Sequence, residues 1–307
     1  MSSSRDATAS LIRRRLYAWN GRDLDTLGRL FAPDCTVESP TAGGTVTGRA
    51  AVQAIDQAWF AGFPDVVFAT DDLFIDDNQV AWMLTARGTD SGGFMGLPPT
   101  GKAFELPMVV LSTMAGGAIV HEHRIYDFTG MLVQIGLLKT KAIGALPSSA
   151  APQATPHGRL APGDTGLLGR EAIADLLAVR HEAWIRRDAA TVADLHAEDC
   201  IMDTHLAGQV QGREAVARVH DAWWTAFPDS TYTSEQVIVD GSRVAEMVTQ
   251  SGTDTGGFLG LPPTNKPFKL PIVWLFTLRG RAFVHVRPIY DFTGLLVLIG
   301  LLKAKPA

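Results

Sequence analysis

The chain has 307 residues, of which 46% are hydrophobic and 19% are charged, so it is too apolar for a disordered protein and too interrupted by charge for a membrane protein. Its net charge of −5, with no basic stripe, argues against nucleic acid or an anionic membrane as its main partner. The first residues, Met1-Ser-Ser-Ser-Arg-Asp, lack the apolar stretch of a secretory signal. We therefore expect a cytoplasmic protein, and the length predicts two domains at about 150 residues each.

Three helices are predicted at the start of the chain. The first carries Leu16 and Trp19 on one apolar face. The second is capped by Asp23 and ends before Pro33. The third ends near Gly62, where a Gly-Phe-Pro sequence interrupts the helical pattern.

Strands are predicted between and after these helices. A short strand covers about 36–39, and longer strand-like runs cover about 66–75, 79–89, 103–114 and 118–128. Turn residues separate the longer runs, so neighbouring strands are expected to be antiparallel. Helices followed by a mostly antiparallel sheet give an α+β order.

The whole pattern occurs twice. Gly88-Thr-Asp-Ser-Gly-Gly-Phe-Met-Gly-Leu-Pro-Pro-Thr100 recurs 164 residues later as Gly252-Thr-Asp-Thr-Gly-Gly-Phe-Leu-Gly-Leu-Pro-Pro-Thr264. At the same offset, Tyr126-Asp-Phe-Thr-Gly130 recurs as Tyr290-Asp-Phe-Thr-Gly294. A repeat this long is a duplicated domain rather than a solenoid unit.

The two copies are expected to be separate domains. We assign residues 1–143 to the first and 167–307 to the second, because residues 144–166 are rich in Pro, Ala, Gly and Ser and are typical of a linker. Cys35 and Cys200 are equivalent positions in the two copies, which predicts buried structural thiols rather than a disulfide.

These features resemble a known family. The order of elements, together with Gly88-Thr-Asp-Ser-Gly, Gly96-Leu-Pro-Pro-Thr-Gly101 and Ile119-Val-His-Glu-His-Arg-Ile-Tyr-Asp127, is similar to the SnoaL-like polyketide cyclase (ester cyclase) family. That family lies within the nuclear transport factor 2-like, ketosteroid-isomerase-like superfamily. The resemblance covers nearly all of both copies.

The resemblance carries implications for fold and chemistry. It implies tandem cone-shaped α+β barrels, each a curved, mostly antiparallel sheet wrapped over three helices around an apolar cavity. It also implies cofactor-independent acid–base chemistry on an aromatic or polycyclic small molecule. An aspartate late in the chain moves the proton, and Asp127 and Asp291 hold that position here.

Strand alternation groups the candidate catalytic residues. We expect one face to line each cavity, where a desolvated carboxylate is a suitable base and a histidine or arginine stabilises the oxyanion. The alternative is that Asp127 only caps the following turn, and position alone leaves both interpretations open. The residues on that face are His121, His123 and Asp127 in the first copy and His285, Arg287 and Asp291 in the second.

A metal site is the competing interpretation of this face. His121, His123 and Asp127 have the ligand types of a site with two histidines and one carboxylate. In the second copy Arg287 replaces His123, and a guanidinium is not a metal ligand. We therefore predict no metal, and the family resemblance implies that no cofactor is needed.

Other residues are candidates for substrate binding. Each has a structural alternative, which is core packing for the tryptophans and a solvated strand edge or outer face for the acids. Glu246 and Gln250, on the strand before Asp254, make the second pocket the more polar one if they point inward. The candidates are Asp90, Asp254, Glu38, Asp203, Trp19, Trp59, Trp184 and Trp223.

These observations predict a lyase or cyclase that acts on a small molecule. The reaction is an aldol-type ring closure or the reverse C–C cleavage, such as deformylation of an aryl-propanoid diol. The alternatives are an epoxide hydrolase that uses Asp254, Arg287 and Asp291, and a non-catalytic small-molecule-binding protein. No nucleic acid or membrane partner is expected. The two copies are expected to pair sheet against sheet as an intrachain pseudo-dimer, with homo-oligomerisation possible.

Overall fold

The computed structural model describes residues 2–142, 168–205 and 208–306. The chain divides into two compact units, Met1–Thr140 with Ala304–Ala307 and Lys141–Lys303. The predicted linker, residues 144–166, lies outside the described residues, and the domain boundaries and the pairing of the two copies stay predictions. None of the described helices is both long and apolar enough to cross a membrane.

The first half of the chain alternates helices and strands largely as expected. Its helices are α1 (Ser2–Asn20), α2 (Leu24–Arg29), α3 (Arg49–Gly62) and α4 (Phe128–Gln134). Its strands are β1 (Phe31–Ser39), β2 (Gly44–Thr47), β3 (Val67–Asp76), β4 (Gln79–Thr89), β5 (Ala103–Ala115), β6 (Ala118–Tyr126) and β7 (Leu138–Ala142).

The second half repeats this order. Its helices are α5 (Arg170–Arg186), α6 (Ala189–Asp194), α7 (Arg213–Ala226) and α8 (Phe292–Leu298). Its strands are β8 (His196–Thr204), β9 (Gly208–Gln211), β10 (Thr231–Asp240), β11 (Arg243–Thr253), β12 (Pro267–Arg279), β13 (Ala282–Ile289) and β14 (Leu302–Pro306).

Each unit contains one six-stranded sheet. The strand order is β2-β1-β6-β5-β4-β3 in the first unit and β9-β8-β13-β12-β11-β10 in the second. Strand β1 is parallel to β6, β8 is parallel to β13, and the other neighbours are antiparallel. The predicted α+β architecture, two tandem mostly antiparallel sheets packed with helices, is confirmed.

Local capping explains several element boundaries. Asp23 caps α2 as predicted, since its side chain accepts a hydrogen bond from the Thr26 N–H at 2.9 Å. The short helices α4 and α8 were not predicted, because seven residues are too few for a helical hydrophobic period. Strand β1 begins at Phe31, earlier than predicted. Cys35 and Cys200 are buried free thiols, as expected.

The expected orientation of the last long strand is wrong. In β6, Glu122 and Arg124 bond to the helix residues Arg15 and Asp56, and Tyr126 joins the core, so these positions face the interior. His121, His123 and, in β13, His285 and Arg287 alternate with the interior positions and lie on the other face. Alternation could not identify the inner face, because β6 has polar residues on both faces and the first domain neutralises the inner ones with helix partners.

Candidate active site

The second domain encloses a cavity of about 570 Å³, which is within the range of small-molecule sites. Helix α7, the inner face of the sheet and the loop after β11 form its wall. Among the residues that the structure describes, no Asp, Glu, Lys or Arg lines it. The polar and aromatic lining residues are Trp184, Thr204, His205, His220, Trp223, Thr225, Gln250, Phe258, Trp274 and Tyr290.

The equivalent interior of the first domain is filled. Its free volume is about 10 Å³, which is roughly the room that one water needs. Trp19 stacks on Trp82 with ring centroids 5.3 Å apart, and Trp59 packs edge-on against Tyr126 at 6.1 Å. No substrate of several rings fits this space.

A buried ion cluster occupies the rest of the first interior. Arg15 Nη2 donates to Glu122 Oε1 at 2.6 Å, and Arg124 Nε donates to the same oxygen at 2.7 Å. Arg124 Nη1 donates to Asp56 Oδ1 at 2.9 Å. Burial alone would raise the pKa of Glu122, but the guanidinium groups of Arg15 and Arg124 outweigh burial and lower this pKa to about 2.

The second domain lacks this cluster because three of its four members are replaced, while Arg180 stands at the position of Arg15. At the equivalent positions 164 residues later, Val286 stands for Glu122 and Pro288 for Arg124, and His220 stands for Asp56. Without the two β6 charges the interior cannot hold a four-member ion network. The space that the network fills in the first domain is therefore part of an apolar cavity in the second.

His220 is the cavity residue best suited to accept a proton. It is 3% exposed and its Nδ1 lies 2.9 Å from the Val216 carbonyl oxygen. Because a carbonyl only accepts, Nδ1 carries the hydrogen and Nε2 presents its lone pair. Burial and, secondarily, the nearby Arg180 lower the pKa of His220 to about 3, so its ring is neutral. Its Nε2 has no hydrogen-bond partner among the described residues.

Several side chains of the cavity wall carry unpaired donors. The amide nitrogen of Gln250 and the indole nitrogens of Trp184, Trp223 and Trp274 are buried and have no hydrogen-bond partner within residues 2–142, 168–205 and 208–306. Buried donors are nearly always satisfied in folded proteins, by protein, water or ligand. The aromatic side chains of the wall suit a flat aromatic ligand.

His205 forms another part of the wall. Its ring stacks on Phe292 with centroids 5.1 Å apart and meets the edge of Tyr290 at 4.6 Å. Burial, aided by the positive charge of Arg287, lowers the pKa of His205 to about 4. Both cavity histidines are thus neutral near pH 7.

A polar chain lies behind the aromatic wall. Arg180 Nη1 donates to the Tyr232 hydroxyl at 2.7 Å, which donates to Glu246 Oε2 at 2.6 Å. The Arg180 guanidinium lies 4.9 Å from the Trp274 ring centroid. Glu246 and Gln250 therefore both point inward. Of the two domains, the second is the one in which uncharged polar side chains line a free cavity.

The structure separates the predicted catalytic residues from the cavity. His121 Nδ1 lies 2.8 Å from Thr36 Oγ1, and His123 Nδ1 lies 3.9 Å from Glu38 Oε2. In the second domain His285 Nε2 lies 3.0 Å from Asp203 Oδ2. These contacts join neighbouring strands β1–β6 and β8–β13 on the face away from the core, and Arg287 lies on that same face.

Asp127 and Asp291 cap helices. The side chain of Asp127 accepts from the Gly130 N–H at 2.8 Å, and that of Asp291 accepts from the Gly294 N–H at 2.8 Å. Both geometries are those of an N-cap. Neither residue lines the cavity described above.

The expected substrate-binding residues fall into three groups. Asp90 and Asp254 are fully buried and bind the backbone of their own loops. Glu38 and Asp203 belong to the contacts with His123 and His285. Of the tryptophans, Trp19 and Trp59 pack in the filled first interior, whereas Trp184 and Trp223 line the cavity.

Sequence reasoning missed His220, and one signal was available. His220 lies three residues before Trp223 on the predicted third helix of the second copy, so the two share a helix face. The equivalent Asp56 and Trp59 have the same spacing. The change from carboxylate to imidazole at this core-facing helical position is one of the differences between the copies.

Comparison with known proteins identifies the family. The profile of the SnoaL-like polyketide cyclases matches two segments of the chain, residues 9–135 and 174–297. The chain belongs to the SnoaL-like polyketide cyclase family. The match occurs once in each copy and spans most of the chain. Comparison with curated protein sequences gave no significant match.

Solved structures are similar to part of the chain. IdmH, a putative polyketide cyclase from Streptomyces antibioticus, is 36% identical, with 42% of this chain and 97% of that chain covered and a TM-score of 0.38. AclR, a putative hydroxylase from Streptomyces galilaeus, is 24% identical, with 43% and 98% covered and a TM-score of 0.40. A putative SnoaL-like polyketide cyclase from Jannaschia sp. CCS1 is 20% identical, with 43% and 93% covered and a TM-score of 0.40.

Proposed function

We propose that the second domain is a cofactor-independent acid–base enzyme that catalyses an aldol-type ring closure, or its reverse, on an uncharged aromatic or polycyclic carbonyl compound. The observation that carries this proposal is the cavity of about 570 Å³ whose lining includes His220, a histidine whose buried Nε2 has no hydrogen-bond partner among the described residues. Membership of a polyketide cyclase family supports the reaction class. The first domain, whose interior is filled, acts as a scaffold.

His220 is the proposed base. Its Nε2 takes a proton from a carbon next to a carbonyl, and the resulting enolate attacks a second carbonyl of the same molecule. The imidazolium then returns the proton to the new alkoxide, so the product is an isomer of the substrate. A histidine with a pKa of about 3 is a weak base in the free protein, but an enolate beside it stabilises its charged form because the two opposite charges attract at short range.

Gln250 is the proposed oxyanion donor. Its amide nitrogen is unpaired, and the side chain lines the same cavity as His220. A neutral N–H donor that is already in place stabilises charge as it develops on the carbonyl oxygen. The first domain has Ala86 at this position, which offers no donor.

The substrate is expected to enter the cavity without charge. The described lining has no ionised side chain and both of its histidines are neutral. Burying an ionised group without a partner costs on the order of several kcal/mol of binding free energy. An ester or ketone is therefore expected to be a better substrate than the corresponding carboxylate.

Binding without turnover is the second candidate function. The weak basicity of the free His220 favours it, since a base works best when its pKa lies near the working pH. The set proposed for an epoxide hydrolase is not assembled, because Asp254 binds its loop, Arg287 lies on the other sheet face and Asp291 caps α8.

The test measures turnover by the wild-type chain and two variants, without added cofactor. The substrates are a panel of uncharged aromatic polyketones and polyketide esters. His220→Gln is expected to lower kcat by about 10²–10⁴-fold, the range for loss of a positioned base. His196→Gln is the matched control: its Nδ1 also contacts a backbone carbonyl at 2.7 Å and its pKa is lowered to about 4, but it does not line the cavity. Equal effects of the two substitutions would contradict the proposal, and binding of panel members without turnover would favour the second candidate.

A further inference from the structure

We propose that Asp254 is a positioning residue that holds one wall of the second-domain cavity, residues Gly256–Gly260, and thereby sets the affinity of the cavity for its ligand. The inference rests on the proposed function only in taking this cavity as the ligand site. Asp254 does not touch the ligand in this account. It acts through the loop that it binds.

The Asp254 carboxylate is saturated with hydrogen bonds from its own loop. It is fully buried. Oδ1 accepts from the Gly257 N–H at 3.1 Å and the Phe258 N–H at 3.0 Å. Oδ2 accepts from the N–H and the hydroxyl of Thr264, at 3.1 and 2.9 Å. Four hydrogen bonds to one side chain tie Gly257 and Phe258 to Thr264 and so hold both ends of the loop.

The loop forms the cavity wall and packs on the helix that carries His220. Residues Gly256–Gly260 all line the cavity. The Gly256 N–H donates to the Ala226 carbonyl at 3.0 Å, and a Cβ at Gly256 would lie 1.7 Å from the Thr225 carbonyl oxygen. The Phe258 ring meets the edge of Trp223 with centroids 5.7 Å apart. A shift of this loop therefore changes the shape of the cavity next to α7.

The first domain supplies a natural comparison. Asp90 is equally buried, and its Oδ2 accepts from the N–H and hydroxyl of Thr100 at 3.0 and 2.9 Å. Its Oδ1, however, has no hydrogen-bond partner in the described part of the chain. The two additional bonds, to the turn that faces the ligand space, thus occur in the domain that has a cavity. The shared bonds to threonine are the structural part of the motif.

The experiment compares Asp254→Asn with Asp90→Asn in the full chain, by two readouts. The first is the affinity for 6-propionyl-2-(dimethylamino)naphthalene, an uncharged aromatic ketone whose emission reports its surroundings. The second is amide hydrogen exchange in residues 256–260 and 92–96.

An asparagine turns an NH₂ group towards N–H donors, so Asp254→Asn should speed exchange in 256–260. It should weaken probe binding by about tenfold, equivalent to about 1.4 kcal/mol and to the net worth of about one hydrogen bond. Asp90→Asn should leave the affinity within about twofold, since neither Asp90 nor its partner Thr100 lines the cavity.

A second pair of variants guards against misfolding. Thr264→Val removes one bond to Asp254 and keeps the buried carboxylate, and Thr100→Val is its match in the first domain. Thr264→Val should change affinity in the same direction as Asp254→Asn, and Thr100→Val should not.

For a panel substrate that is turned over, Asp254→Asn should raise KM more than it lowers kcat. Equal affinities of the two Asp→Asn variants, or unaltered exchange in 256–260, would overturn this inference alone. A wild-type chain that binds no uncharged aromatic ligand would instead overturn the proposed function, while the exchange data would still decide whether Asp254 holds the loop.

Discussion

Asp56 and His220 occupy equivalent positions on α3 and α7, and each is 3% exposed, yet they have opposite surroundings. Asp56 is paired with Arg124 at 2.9 Å, in an ion cluster that fills its domain. His220 donates through Nδ1 to the Val216 carbonyl oxygen and lines the second-domain cavity. One fold, repeated in one chain, thus supports a stable packed interior in the first copy and a ligand-sized space in the second.

The first prediction concerns the pH dependence of the reaction. Burial lowers the pKa of His220 to about 3. The base is therefore already in its neutral, active form at every pH well above 3. We expect kcat/KM to be constant between about pH 5 and pH 8, without the inflection near 6.5 that an unperturbed histidine base gives. The measurement is kcat/KM of the wild-type chain against pH for one uncharged panel substrate. An acidic limb centred near pH 6.5 would show that a different, exposed histidine moves the proton.

The second prediction concerns the ion cluster of the first domain. Glu122→Gln removes the carboxylate that Arg15 and Arg124 share. Both guanidinium groups stay buried, and Asp56, which pairs with Arg124, is the one acidic partner left in the cluster. The free energy of unfolding of this domain should fall by about 3–5 kcal/mol, as measured by denaturant titration. The control is Glu105→Gln, which breaks the exposed pair with Arg87 at 2.9 Å and should cost about 0–1 kcal/mol. Similar small effects of the two substitutions would mean that the cluster does not stabilise the domain.

The third prediction concerns acid stability of the two domains. In the second domain burial lowers the pKa values of His196 and His205 to about 4 and of His220 to about 3. The unfolded chain binds protons at these histidines below about pH 6.5, whereas the folded chain does not. The stability of the second domain is therefore lost as the pH falls from about 6.5 towards 4, by roughly 1–2 kcal/mol per histidine at pH 5.

Glu122 gives the first domain a different window. Its folded pKa of about 2 is below the ordinary value of 4.5, so its contribution is fully present above about pH 4.5 and is lost between 4.5 and 2. Amide exchange at pH 7.5 and pH 5, corrected for intrinsic rates, should show weakened protection in β11 and β12 but not in β4 and β5. Equal loss of protection in the two sheets at pH 5 would contradict this assignment.

The fourth prediction concerns Asp127 and Asp291. Asparagine is about as good an N-cap as aspartate, so Asp127→Asn and Asp291→Asn should change the free energy of unfolding by less than about 1 kcal/mol each. If their role is to cap α4 and α8, turnover should also change little and equally in the two variants. A fall in kcat of about 10²–10⁴-fold in one of them, with unchanged melting temperature, would restore that carboxylate as the proton-transfer residue.

The repeated motifs were sufficient to predict the architecture. The two Gly-Thr-Asp segments and the two Tyr-Asp-Phe-Thr-Gly segments predicted duplication, and helix periodicity with the Asp23 cap predicted the helices before the sheet. Strand alternation also placed His121 and His123 on the same face of the strand correctly. These features depend on local sequence, and for that reason they could be predicted without tertiary structure.

The site could not be predicted in the same way. Whether Glu122 or His123 faces the interior depends on Arg15 and Asp56, which lie on helices 107 and 68 residues from their strand partners. Whether Asp127 caps a helix or faces a cavity depends on where β6 ends, at Tyr126. The importance of His220 depends on the loss of the charged pair at Val286 and Pro288, which are on a different element. Such long-range relationships follow from packing rather than from periodicity.

The central claim is that ligand binds in the second domain and not in the first, and the indole N–H signals of the seven tryptophans test it most directly. The measurement is a ¹H–¹⁵N NMR titration of the full chain with 6-propionyl-2-(dimethylamino)naphthalene, with each indole signal assigned by a Trp→Phe variant. The signals of Trp184, Trp223 and Trp274, which line the cavity, should shift with a common saturation curve, while those of Trp19, Trp59 and Trp82 should stay in place. Shifts confined to the first-domain tryptophans, or spread equally over both domains, would contradict the claim.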